Sequence, residues 1–77
     1  MRDLPADDAW IADRRQAVGA AIREARRIRN VTQDQVWMAA RISRWTLQRA
    51  EAGDEVTLST LLRIARVLEI PLADLVR

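Results

Sequence analysis

The sequence contains no cysteine, histidine, tyrosine or phenylalanine, and its 13 basic residues are all arginine, with lysine absent. Each absence removes a class of chemistry. Without cysteine or histidine there is no disulfide framework, no thiolate or imidazole metal site, and no Ser-His or Cys-His nucleophile. Without lysine, neither a Walker-type phosphate loop nor a Schiff base can be built. The two serines, Ser43 and Ser59, have no base in view, and carboxylates are the only general bases left. No enzymatic activity, no cofactor and no small-molecule ligand are therefore expected. Long apolar runs are missing as well. No segment approaches the ~20 residues that cross a bilayer, and the acidic start from Met1 to Asp8 does not read as a secretory signal. A soluble cytoplasmic protein without a membrane partner is expected, and the lack of cysteine suits a reducing compartment.

What is present is one domain. A chain of 77 residues buries only roughly 60% of its unfolded surface and has no core to divide. Its net charge of +2 conceals an asymmetry. Residues 1–13 carry one arginine against four aspartates, residues 14–49 carry nine arginines against Glu24 and Asp34, and residues 50–77 carry three arginines against five acids. A positive middle between acidic ends points to an anionic partner, of which polyphosphate backbones are the commonest. The same run is also what an arginine-rich solvated helix looks like.

The apolar spacing is helical throughout, with no alternating β-branched run. A first helix is predicted from about Pro5 or Asp7 to Arg29, with Val18, Ile22 and Ala25 on one face and Asn30 as a left-handed C-terminal cap. Thr32 and Gln35 have the spacing of a capping box, starting a second helix at Gln33 that runs to about Ala40. Ser43 opens a third from Arg44 to about Ala52, which Gly53 ends. Thr57 caps a fourth, striped by Leu58, Leu61, Leu62, Ile64, Ala65 and Leu68. Pro71 is placed at the first turn of a short fifth helix over Leu72 to Val76. The expected fold is all-α: five short helices around one core.

Short helix, three-residue turn, short helix is how many proteins present a second helix to the major groove. The stretch Val31-Thr32-Gln33-Asp34-Gln35-Val36, followed by Ala40, Ile42-Ser43, Thr46-Leu47, Arg49, Glu51 and Gly53, resembles the helix-turn-helix of the Cro and phage-repressor (XRE) family. Val18-Gly19, Ile22-Arg23 and Arg26 resemble that family's first helix. Leu58, Thr60-Leu61, Arg63-Ile64-Ala65 and Leu68 resemble its fourth, and Pro71-Leu72-Ala73-Asp74-Leu75 its fifth. The resemblance runs over roughly residues 16–76, so residues 16–77 form the domain and residues 1–15 an N-terminal extension that begins the first helix. It implies a lambda-repressor-like five-helix bundle that binds operator DNA as a homodimer, a small transcriptional regulator that acts by occupying its site, as a repressor, or else by touching polymerase.

Carried over by position, the resemblance sets Arg44, Trp45, Gln48 and Arg49 against base edges. Arginine can hold guanine O6 and N7, and glutamine adenine N6 and N7, through paired hydrogen bonds. Trp45 has no such pairing; it can press on a thymine methyl or a deoxyribose, or pack within the monomer or against a second subunit. Gln33, Ser43 and Thr46, at or near helix N-termini, are placed at phosphates, with plain capping as the alternative for all three, and Arg41 in the turn can add a phosphate contact. Arg26 and Glu51 form, in resembling proteins, a structural bridge between the first and third helices.

Three positions depart from the family. Arg41 stands where the turn normally has glycine, at a cost of about 1–2 kcal/mol if the left-handed conformation is kept. Trp37 replaces a small residue while the usually bulky position 50 is Ala, so an exchange of volumes is expected, with the indole filling the space near Ala50. Asp54 and Glu55 put negative charge where the family often has basic or neutral residues, so that loop is not expected to clamp phosphate. Trp10 and Ile11 are expected to pack over the core or else to join a dimer interface, for which Leu72 with Leu75 and Val76 is the rival surface. The rival functional class is a protein-interaction module, an antitoxin or adaptor whose arginine surface grips an acidic protein.

Overall fold

Helix starts and stops follow the groups that satisfy the free backbone at each end. The computed structural model describes residues 8–77, which form α1 (Ala9–Arg29), α2 (Gln33–Ala40), α3 (Arg44–Ala52), α4 (Leu58–Leu68) and α5 (Leu72–Val76). The side chains of Thr32, Ser43 and Thr57 accept the backbone N–H of Gln35, Thr46 and Thr60, and Gln35 returns the bond to Thr32, closing the capping box. The expectation that α1 starts at Pro5 or Asp7 lies outside the described residues. The observed helix begins at Ala9, with Asp8 as its N-cap and no side-chain cap. Pro71 is the N-cap of α5 rather than a residue of its first turn, its ψ of 145° being extended.

Four helices end the same way. Asn30, Arg41, Gly53 and Glu69 are left-handed, with φ of 56°, 59°, 88° and 57°. In each case the next N–H reaches five residues back: Val31 to Arg26 O, Ile42 to Trp37 O, Asp54 to Arg49 O, and Ile70 to Ala65 O. Val31, Ile42 and Ile70 then fold onto the core, the apolar contact that usually accompanies this motif. The turn at Arg41 therefore keeps the left-handed conformation that the resembling proteins fill with glycine, and the strain of about 1–2 kcal/mol stays in the backbone.

Every helix contributes at least one fully buried aliphatic side chain: Ile22, Val36, Leu47, Ile64 with Leu68, and Leu75. Each is worth about 1.5–3 kcal/mol relative to exposure. α1 packs on α3, α4 and α5, and α2 on α3 and α4. Leu75 is 2% exposed and belongs to this core, so the expectation that it helps form a dimer surface is corrected; Val76 beside it is exposed.

The α1–α3 crossing explains Ala50. A Cβ on Gly19 would stand 2.5 Å from the Glu51 carbonyl oxygen and 2.8 Å from that of Ala50, so the two backbones nearly touch. Ile11, Val18, Val56 and Leu61 line a shallow groove together with Ala50. α1, with a glycine at the crossing, comes close to the small residue at position 50, and the indole of Trp37 packs on the same core cluster to which Ala50 belongs. Trp37 is half-buried at the edge of the core, and its indole N–H donates to Asp34 at 2.8 Å.

Candidate nucleic-acid interface

Nine residues of α3 divide into two faces. Leu47, Ala50 and Glu51 are buried against the bundle, whereas Arg44, Trp45 and Gln48 are exposed on the opposite side. The spacing of 44, 45 and 48 is one helical stripe, set by the 3.6-residue period once Leu47 is fixed inward. Ser43 caps this helix and its hydroxyl also pairs with that of Thr46 at 2.8 Å. Arg44 and Gln48 share an open polar concavity with Arg26, Asn30, Thr32, Gln33 and Asp34, where the end of α1 and the start of α2 meet α3.

Glu51 holds these three helices in register. Its carboxylate accepts Arg26 Nε at 2.7 Å and Nη2 at 3.0 Å, a two-pronged pair, and also the Gln33 side-chain amide at 3.1 Å. The Glu51 side chain is 5% exposed and that of Arg26 19%. Arg26 also reaches the Val31 carbonyl at 3.3 Å, tying the α1–α2 turn to the same group. Gln33, placed at phosphate by the family pattern, is here engaged in this buried network through its amide nitrogen.

The arginines of α1 serve the fold more than composition suggests. Arg23 donates to the Glu51 carbonyl and Arg15 to the Gly53 carbonyl at 3.2 Å, at the C-terminal end of α3. Arg14 does the same for Val76 at the end of α5, at 2.9 Å, and Arg63 of α4 for Ala40 at the end of α2, at 3.4 Å. A guanidinium at a helix C-terminus satisfies free carbonyls and meets the negative end of the helix dipole. Arg27 and Arg29 pair with Glu24 and Glu69. The Arg27 guanidinium draws the Glu24 carboxyl below its ordinary range through a direct hydrogen bond.

That leaves Arg66 on α4 and, at the turn and the start of α3, Arg41 and Arg44 as positive charge aimed outward. Arg41 is exposed, and among the described residues its guanidinium has no partner. Arg44 lies 3.2 Å from Asp34 with 58% of its side chain exposed. Arg49 differs from expectation: it is half-buried, donating to the Glu55 carbonyl at 3.0 Å, with Asp54 at 3.9 Å and the Trp45 ring 4.8 Å below its guanidinium. Trp45 itself is 65% exposed, so its free face is part of the α3 surface and not of the monomer core. Asp34, a partner of both Arg44 and Trp37, carried no sequence signal beyond its place in the first turn of α2. Among the described residues no group of acids, cysteines or histidines is arranged to hold a metal, and no helix is long and apolar enough to cross a membrane.

None of the curated proteins matches the sequence. Among solved structures, the restriction-modification controller protein C.AhdI from Aeromonas hydrophila superposes with a TM-score of 0.75 at 24% identity, covering 79% of this chain and 94% of that one. The clp gene regulator ClgR from C. glutamicum superposes with a TM-score of 0.73 at 34% identity, covering 79% of this chain and 80% of that one. The bundle is thus a lambda-repressor-like fold, and such a helix-turn-helix is consistent with a DNA-binding regulatory role. With residues 22–75 matching the family described as Helix-turn-helix, the chain belongs to the helix-turn-helix family and is related to XRE-type transcriptional regulators.

Proposed function

We propose that this protein is a sequence-specific DNA-binding regulator that acts as a homodimer on a symmetric operator and represses by occupying it. The observation that carries the reading is the outward stripe of α3, where Arg44, Trp45 and Gln48 stand exposed while Leu47 and Glu51 anchor the helix from behind. Two of these are side chains with paired donors or acceptors suited to purine edges, and the stripe is flanked by Arg41 and by the capped N-terminus of α3. A relative 34% identical is a gene regulator by description, which supports the regulatory part. Dimerisation follows from reach: one nine-residue helix spans only a few base pairs, and a two-fold dimer doubles the sequence read.

A salt titration of duplex binding tests this. Binding should weaken with a log-log slope of about −0.9 per phosphate contacted, and Arg44→Ala should cost ~1–3 kcal/mol on a preferred duplex. A folded protein that binds no duplex at low salt but retains an acidic protein partner would instead establish the adaptor reading.

A further inference from the structure

Two arginines of α3 share an arrangement that packing alone does not demand. The Arg44 guanidinium lies 5.9 Å from the centre of the Trp37 ring, and its Nη2 is 3.2 Å from Asp34 Oδ1. That same oxygen accepts the indole N–H of Trp37 at 2.8 Å, so α2 supplies an aromatic face and a carboxylate already fixed to each other. The Arg49 guanidinium lies 4.8 Å over Trp45, donates through Nη2 to the Glu55 carbonyl at 3.0 Å, and has Nε 3.9 Å from Asp54 Oδ2. Each arginine is thus set between an indole and an aspartate. Among the described residues the one hydrogen bond donated by either guanidinium is that of Arg49 Nη2 to Glu55, which leaves donors of each fork open to an outside acceptor.

We propose that Asp34 with Trp37, and Asp54 with Trp45, are positioning residues that set sequence specificity by orienting Arg44 and Arg49 before DNA arrives. The inference rests on the DNA-binding reading above. Recognition of guanine O6 and N7 needs a planar fork delivered at one angle, and a long side chain held beforehand loses less freedom on contact. Phosphate binding needs only charge, and a carboxylate beside each guanidinium cancels part of that charge for every duplex alike. The pairs are solvent-exposed and therefore weak, so they bias orientation and yield readily to a better acceptor. Asp54, which in isolation reads as mere repulsion of phosphate, gains a role through Arg49.

Asp34→Asn and Asp54→Asn separate orientation from repulsion. Dissociation constants are measured for the wild type and both variants against a duplex selected by the wild type and against an unrelated duplex of the same length, with thermal melts confirming the fold. Removing either carboxylate should tighten the unrelated duplex about threefold, while the selected-to-unrelated ratio falls at least about fivefold and preference flattens at one base of each half-site. Equal tightening of both duplexes with base preferences unchanged overturns the inference alone, leaving the aspartates as repulsive charges. A wild type that enriches no sequence overturns the DNA-binding reading and the inference with it, and that result is visible before any variant is made.

Discussion

Glu51 shows how one buried charge is made tolerable. Four donors from two helices converge on it: Arg26 twice and Gln33 on the carboxylate, and Arg23 on its own carbonyl. Glu51→Ala leaves Arg26 and Gln33 without their acceptor, a loss expected at about 3 kcal/mol since Arg26 keeps some contact with water. The paired variant Arg26→Met with Glu51→Leu removes both charges and fills their space, and should cost clearly less than Glu51→Ala alone. Urea unfolding midpoints check the order; a double variant at least as damaged as the single one would show that the charges stabilise rather than align. The Arg26–Glu51 bridge itself was legible from family resemblance, but Gln33 was not, because an N-terminal glutamine beside a capping threonine reads equally as a cap or a phosphate ligand.

At the level of helices, starts were readable and some stops were not. Thr32, Ser43 and Thr57 announce α2, α3 and α4 because a hydroxyl before an apolar run has one obvious use. Asn30 and Gly53 announce their ends by tolerating a left-handed backbone, whereas Glu69 has no such chemistry and is forced into it by Ile70 turning back onto the core. The arginine caps were illegible for a different reason: Arg23 meets a carbonyl 28 residues away and Arg15 one 38 residues away, and no local pattern encodes a partner at that distance. Part of the positive middle of the chain is therefore engaged in closing helix ends. The α1–α3 crossing carries its own prediction. Gly19→Ala drives a methyl into the carbonyls of Ala50 and Glu51, which cannot move without tilting α3. A destabilisation of ~1–3 kcal/mol is expected, with weaker duplex binding from a displaced stripe, although Gly19 is far from the exposed face of α3. An unchanged melting temperature would mean that the helices separate without cost.

The whole molecule is a small bundle in which charge has been sorted by purpose. Arg14, Arg15, Arg23 and Arg63 close the ends of other helices, while Arg41, Arg44 and Arg49 gather at the turn and along α3. Exposed apolar side chains remain at Trp10, Ile28, Met38, Trp45, Leu58, Leu62 and Val76, with Leu75 withdrawn into the core. The most direct measurement is selection from a random duplex pool by the full chain. Enrichment of a two-fold symmetric sequence is expected, with half-sites roughly 34 Å apart and with preference lost at defined bases in Arg44→Ala and Arg49→Ala. A folded protein that enriches no sequence, or one whose enriched sequence is indifferent to both substitutions, would contradict the assignment of α3 as the reading helix.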